Sequence, residues 1–135
     1  MLEEELKTIT DAVRRAGRAV MDLYGLAEAR QSTRGPVTEA DLASNRILVD
    51  AIRGAFPADR ILSEESSDST DRLAASRVWV IDPLDGTKEF LARNGEFAVM
   101  VALLVDAEPR LGLVYAPAIE RLYGAACGGG AWVEA

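Results

Sequence analysis

The residues best suited to chemistry are acidic and fall in three clusters: "VTEAD" with Asp41, "SEES" with Glu64 and Glu65, and "DPLDGT" with Asp82 and Asp85. In the third, an apolar run, Val78-Trp79-Val80-Ile81, drives into two aspartates divided by a proline. Pro83 fixes φ and is expected to bend the chain at once. That bend brings Asp85 back beside Asp82, with the Leu84 carbonyl pointing into the same space. Two carboxylates held close repel each other, and a cation between them keeps both ionised. Oxygen donors without histidine or thiol favour a hard ion, Mg²⁺ before Ca²⁺ or Mn²⁺. Gly86-Thr87 then opens a short helical stretch, 87–93, whose free N–H groups and dipole form an anion site. Gly86 lets a phosphate approach the backbone closely. A metal pair beside a phosphate cradle is the layout for metal-assisted phosphoester hydrolysis, in which one ion lowers the pKa of the attacking water.

Each cluster also has a plain structural reading. "DPLDG" is a good β-turn sequence, since Asp-Pro and Asp-Gly are common in turns. Thr38-x-x-Asp41 fits a helix capping box, with Thr38 as N-cap and Asp41 reaching back. That role can coexist with an outer metal role for Asp41. Glu64 and Glu65 read equally as a solvated charge pair at a strand end, and Lys88-Glu89 as an exposed helical pair.

The rest of the composition narrows the choice. The chain has no histidine, which excludes Ser-His-Asp and Cys-His nucleophiles and any histidine metal site. Acidic residues outnumber basic ones 22 to 15, for a net charge of −7, which argues against a nucleic-acid polymer as partner. A small anionic ligand stays compatible, because a local metal site reverses the field that a phosphate meets. One cysteine, Cys127, forms no intramolecular disulfide, and the acidic N-terminus is unlike a secretory signal. Both point to a reducing cytoplasm. No segment approaches the roughly 18 uninterrupted apolar residues of a membrane span. At 135 residues, 49% hydrophobic and 27% charged, the chain suits one globular domain over 1–135.

The elements that must position these carboxylates follow from periodicity. Apolar residues at Leu2, Leu6, Ile9, Val13, Ala16, Val20 and Leu23 predict an amphipathic helix stopped near Gly25. The stretch 30–37 is polar, contains Gly-Pro and reads as a loop. A second helix starts at Thr38 and ends at "GAFP", 54–57. Strands are expected at 60–64, 77–82, 96–105, 110–117, 121–126 and 130–133, with an exposed connection at 66–76 and a turn at 106–109. Two helices followed by such a run give an α+β fold, two N-terminal helices packed on one face of an antiparallel β-sheet. An unfinished sheet of this kind would expose apolar surface, and a homodimer is one way to cover it.

Together, "PVTEAD", "ILSEES" and "WVIDPLDGTKEF" resemble the inositol monophosphatase superfamily. "DGTKEF", "RNGEFAVMVAL" and "LGLVYAP" resemble its 3'(2'),5'-bisphosphate nucleotidase branch in particular, whereas inositol monophosphatases proper tend to have Thr-Asn where Lys88-Glu89 stand. The resemblance covers essentially the whole chain. It implies that Glu64, Asp82, the Leu84 carbonyl and Asp85 ligate two or three Mg²⁺ ions. It implies further that Glu64 and Thr87 position the water nucleophile, with Asp41 at the outer edge of the site near an additional metal or the water network. Glu64 and the run Leu84, Asp85, Gly86 and Thr87 would contact the substrate phosphate. The implied substrate is 3'-phosphoadenosine 5'-phosphate, losing its 3'-phosphate to leave AMP. Inositol-1-phosphate and fructose-1,6-bisphosphate are the runners-up, and a truncated, non-catalytic metal-binding chain is the alternative from another class. The resemblance also makes this chain the N-terminal half of the family fold. The family's second, α/β half bears a Trp-Asp motif, and neither Trp79 nor Trp132 precedes an aspartate here. Gln31 and Thr33 stand where related nucleotidases carry a lysine and an aspartate, and Ala98 and Met100 replace more polar residues.

Overall fold

A computed structural model describes residues 2–25, 30–32, 35–63 and 76–135. Helix α1, Glu3–Asp22, buries Ile9, Ala12, Val13, Ala16, Gly17 and Val20, the stripe set by the apolar spacing. Three glutamates occupy its first turn, where the helix dipole favours negative charge. The helix lies hard against the sheet: a Cβ added at Gly17 would stand 2.3 Å from the Tyr115 ring. Helix α2, Glu39–Ala55, starts on the expected capping box, with Thr38 as N-cap and Asp41 closing the reciprocal bond.

Between the helices, β1 (Arg30–Ser32) and β2 (Gly35–Val37) form an antiparallel ribbon where the sequence reads as a loop. Three residues a side leave no room for an apolar alternation to show in the sequence. The remaining strands are β3 (Arg60–Ser63), β4 (Arg77–Asp85), β5 (Ala98–Val105), β6 (Glu108–Ala116), β7 (Arg121–Ala126) and β8 (Gly130–Glu134). They form one sheet in chain order. The all-antiparallel expectation is corrected at one place: β3 runs parallel to β4, pairing Arg60 with Val78 through Ser63 with Ile81. A parallel neighbour needs a crossover rather than a hairpin, and apolar patterning does not reveal strand direction. The connection expected at 66–76 lies, apart from Ser76, outside the described residues.

Helices α1 and α2 cover one face of the sheet, making the α+β layering expected. Trp79, Ile81, Val101, Leu103, Leu113 and Leu122 meet Val13, Val20, Leu48 and Ile52 there, all at most 3% exposed. On the other face Val80, Met100, Ala102 and Val114 are only half-buried, and Tyr123 and Val133 are exposed.

The N-terminal end of β4 is fastened by a polar clasp. Arg77 Nε donates to both oxygens of Asp59 (2.9 and 3.1 Å), and its Nη2 donates to Glu5 at 2.9 Å. The Trp79 indole N–H donates to Asp59 at 2.9 Å, and the Phe56 ring stacks on Trp79. The hydrogen bond to Asp59 raises the Arg77 pKa above its ordinary value, against the opposing effect of burial.

Candidate active site at the bulge of β4

Strand β4 does not stop at Asp82, as Pro83 led the sequence reading to expect. Asp82 pairs with Met100 and Asp85 with Ala98, so Pro83 and Leu84 together oppose a single residue, Val99. This is a β-bulge, a position where a residue without an N–H is tolerated in a sheet. Neither a bend at Pro83 nor a simple β-turn describes it; the chain turns three residues later, at Gly86. Pro83 and Leu84 are both buried.

The bulge decides where the carboxylates face. In a regular strand, residues three apart lie on opposite faces. Here one extra residue is absorbed, and Asp82 and Asp85 stand opposite Met100 and Ala98, which are two apart and share a face. Asp82 is half-buried and Asp85 is exposed. The two aspartates therefore come to the same side of the sheet, the side that α1 and α2 leave open.

Gly86 makes the exit. Its φ is +89°, and a Cβ there would lie 2.8 Å from the Glu96 carbonyl oxygen. Only glycine meets both conditions without strain. Helix α3, Thr87–Ala92, follows and is anchored by Phe90, buried against Tyr24 and Phe97.

Asp41 and Thr87 meet directly across 46 residues of sequence. Asp41 is 2% exposed. Its Oδ2 accepts from the Thr38 N–H (2.9 Å) and the Thr38 hydroxyl (2.7 Å). Its Oδ1 accepts from the Thr87 hydroxyl at 2.9 Å. The Leu84 carbonyl oxygen lies 3.3 Å from the same hydroxyl, a second acceptor for its single proton. One carboxylate thus caps α2 and orients the first side chain of α3.

Two further residues of α2, not singled out by the sequence, touch the site. Ser44 is fully buried and its hydroxyl donates to the Pro83 carbonyl at 2.6 Å. Asn45 Oδ1 accepts from the Ser63 hydroxyl at the end of β3. The available signal was a polar side chain on a buried stripe: Asp41, Ser44, Leu48 and Ile52 all lie on the inner face of α2.

Of the residues expected in the site, Asp41, Thr87 and Leu84 are joined, Asp82 and Asp85 share a face, and Gly86 links them. Glu64 and Glu65 lie outside the described residues, as do Thr33 and the side chain of Gln31. Among the described residues no three His, Cys, Asp or Glu side chains close on a common ion position. Two carboxylates and a carbonyl on one bulge are nonetheless hard oxygen donors, the chemistry that fits a Mg²⁺-class ion. A cavity of about 630 Å³ lies away from this site, lined by Leu2, Leu6, Arg77, Arg110 and Cys127 among others. No helix among the described residues is long and apolar enough to cross a membrane.

Residues 1–135 match the model of the inositol monophosphatase family. The 3'(2'),5'-bisphosphate nucleotidase CysQ of Salmonella typhimurium is 42% identical over 134 residues, covering 96% of this chain and 54% of its own length. A histidinol-phosphatase of Chlorobaculum parvum is 32% identical over 135 residues, covering 96% of this chain and 51% of its own. Among solved structures, the Thermotoga maritima IMPase matches with a TM-score of 0.89 at 31% identity, over 97% of this chain and 51% of that one. The chain spans about half the length of the curated relatives it matches. In sequence and in fold, then, this chain belongs to the inositol monophosphatase family.

Proposed function

We propose that the protein is a Mg²⁺-dependent phosphomonoester hydrolase of the bisphosphate nucleotidase type, and that this chain supplies the N-terminal share of its centre. The observation that carries the reading is the Thr87–Asp41 hydrogen bond beside the aspartate-bearing bulge. With its hydroxyl hydrogen-bonded to Asp41, Thr87 turns a lone pair outward to orient a water. A proton taken from that water would be matched by passing the hydroxyl's own proton to the Asp41 carboxylate. Asp41 holds that geometry because its other oxygen is fixed by Thr38. Asp82, the Leu84 carbonyl and Asp85, together with Glu64, would hold two or three Mg²⁺ ions. Bound there, the ions would supply a lowered water pKa and neutralise charge on the phosphoryl oxygens. The backbone of Leu84, Asp85, Gly86 and Thr87 would face the phosphate.

The substrate we favour is 3'-phosphoadenosine 5'-phosphate, hydrolysed at its 3'-phosphate to AMP. Support comes from the 42% identity to a 3'(2'),5'-bisphosphate nucleotidase. The histidinol-phosphatase relative shows that names in this family extend to other phosphomonoesters, so the comparison must be direct. Turnover of 3'-phosphoadenosine 5'-phosphate, inositol-1-phosphate and fructose-1,6-bisphosphate is measured side by side in the full-length protein, with and without Mg²⁺. A clear preference for inositol phosphate would overturn the substrate assignment. Calorimetry with Mg²⁺ and nucleotide separates an enzyme from a binding-only chain, for which binding comes without turnover. A cytoplasmic setting, a homodimer and a further α/β half that completes the metal site belong to the same proposal.

A further inference from the structure

We propose that Ser44, with Asn45 beside it, is a positioning residue that holds the bulge of β4 in its ligand-presenting form. The inference rests on the reading of the site given above and concerns residues that would act on metal or phosphate only through others. The register with β5 skips Pro83, and the register with β3 ends at Ile81, so neither assigns Pro83 a strand partner among the described residues. A buried carbonyl without a donor is costly, and the Ser44 hydroxyl supplies the donor at 2.6 Å. Fixing that oxygen fixes the plane of the Pro83–Leu84 peptide. The direction in which the chain enters Leu84 to Thr87 follows from it. One residue along, Asn45 receives the Ser63 hydroxyl at the end of β3. Asp41, Ser44 and Asn45 stand at i, i+3 and i+4, one side of a single helical turn. That turn therefore reaches three separate segments: the start of α3 through Thr87, the bulge through Pro83, and the end of β3 through Ser63. A rigid helix at this point sets the mutual spacing of parts that are far apart in sequence.

The test uses the full-length protein and the variants Ser44→Ala, Ser44→Thr and Asn45→Ala. Mg²⁺ affinity is read by calorimetry, and amide hydrogen exchange by mass spectrometry or NMR on protein held in EDTA. In Ser44→Ala, Mg²⁺ affinity is expected to fall about tenfold, as when a group orienting a metal ligand is lost. Exchange over 84–87 should quicken about tenfold while β6 stays unchanged. Ser44→Thr, which keeps the hydroxyl, should restore both, and Asn45→Ala should weaken Mg²⁺ binding in the same direction. Wild-type affinity and wild-type exchange over 84–87 in Ser44→Ala, with only a lowered melting temperature, would overturn the proposal. If Ser44→Ala does not fold, Asn45→Ala decides, and wild-type Mg²⁺ affinity there overturns it. If the wild-type protein binds no Mg²⁺, the functional reading falls instead. Exchange over 84–87 then judges the brace alone: quickened in Ser44→Ala it stands, unchanged it fails.

Discussion

Strand β4 has a carboxylate partnership at each end, and the two use opposite kinds of donor. At the N-terminal end, Asp59 is gripped by the Arg77 guanidinium and the Trp79 indole, with Glu5 taking the remaining guanidinium edge. At the C-terminal end, Asp41 is held by two threonine hydroxyls and a backbone N–H, all neutral. Asp85 stands exposed close by, with no lysine or arginine paired to it among the described residues. A carboxylate already neutralised by a cation has little left to offer a ligand. A carboxylate satisfied by hydroxyls instead keeps its negative field and passes its orientation on to the hydroxyl it binds. The first arrangement fastens a strand to a helix; the second suits the centre proposed above.

Substitutions at the two ends should separate these roles. The largest effect is expected from Asp82→Asn, which should lower phosphate release from 3'-phosphoadenosine 5'-phosphate by about 10³-fold, since it weakens a proposed direct metal ligand. An unchanged rate would remove the chemistry assigned to the C-terminal end. Thr87→Ala comes next, with kcat lower by about 10²-fold and KM little changed, the size usual for a lost proton-handling group. Thr87→Ser should retain most of the rate, and equal losses in both variants would argue that the methyl group matters, not the hydroxyl.

At the other end, Arg77→Met should cost about 2 kcal/mol of stability by denaturant titration, because Asp59 keeps only the indole donor. Its kcat, measured on folded protein, should match wild type; a large kcat loss would erase the distinction between the two ends. The pKa of Arg77 is raised in the folded state. Its contribution is therefore complete below the ordinary guanidinium value and fades only as pH rises through the higher folded one. The stability loss should accordingly be equal at pH 6 and pH 9. The smallest effect is expected from Thr38→Ala, about 1 kcal/mol for a lost helix cap. It is the sharpest probe of coupling, since a stability loss with an altered pH–rate profile would show that the cap also sets Asp41 for Thr87.

Helices α1 and α2 were legible in the sequence because their evidence is local. Apolar spacing drew the stripe of α1, and Thr38 with Asp41 announced the start of α2 three residues apart. The strands after 96 were legible for the same reason, as apolar runs separated by turns. The parallel β3–β4 pair was not, since direction depends on a crossover that no residue encodes by itself. The β1–β2 ribbon escaped because strands of three residues are too short for an apolar alternation to show. Pro83 misled for a physical reason: its fixed φ suits a bend and a bulge alike, and the sheet around it makes the choice. Within the candidate site, residue types singled out Asp41 and Thr87 separately, but the Asp41–Thr87 and Ser44–Pro83 contacts join positions 46 and 39 apart, which only the folded chain brings together.

The bulge also sets a rule of parity. An odd count between two side chains of a pleated ribbon can be reconciled with a shared face only by an irregularity, so the distance from Asp82 to Asp85 and the defect between them form a single unit. Deleting Pro83 or Leu84 would leave a tidier ribbon with its aspartates still aligned, but with the carbonyl before Asp85 drawn into regular strand geometry. Mending the defect at full length would instead drive Asp85 toward the oily layer beneath the helices. Length changes elsewhere in the sheet's hairpins should be far better tolerated than any change within these four residues.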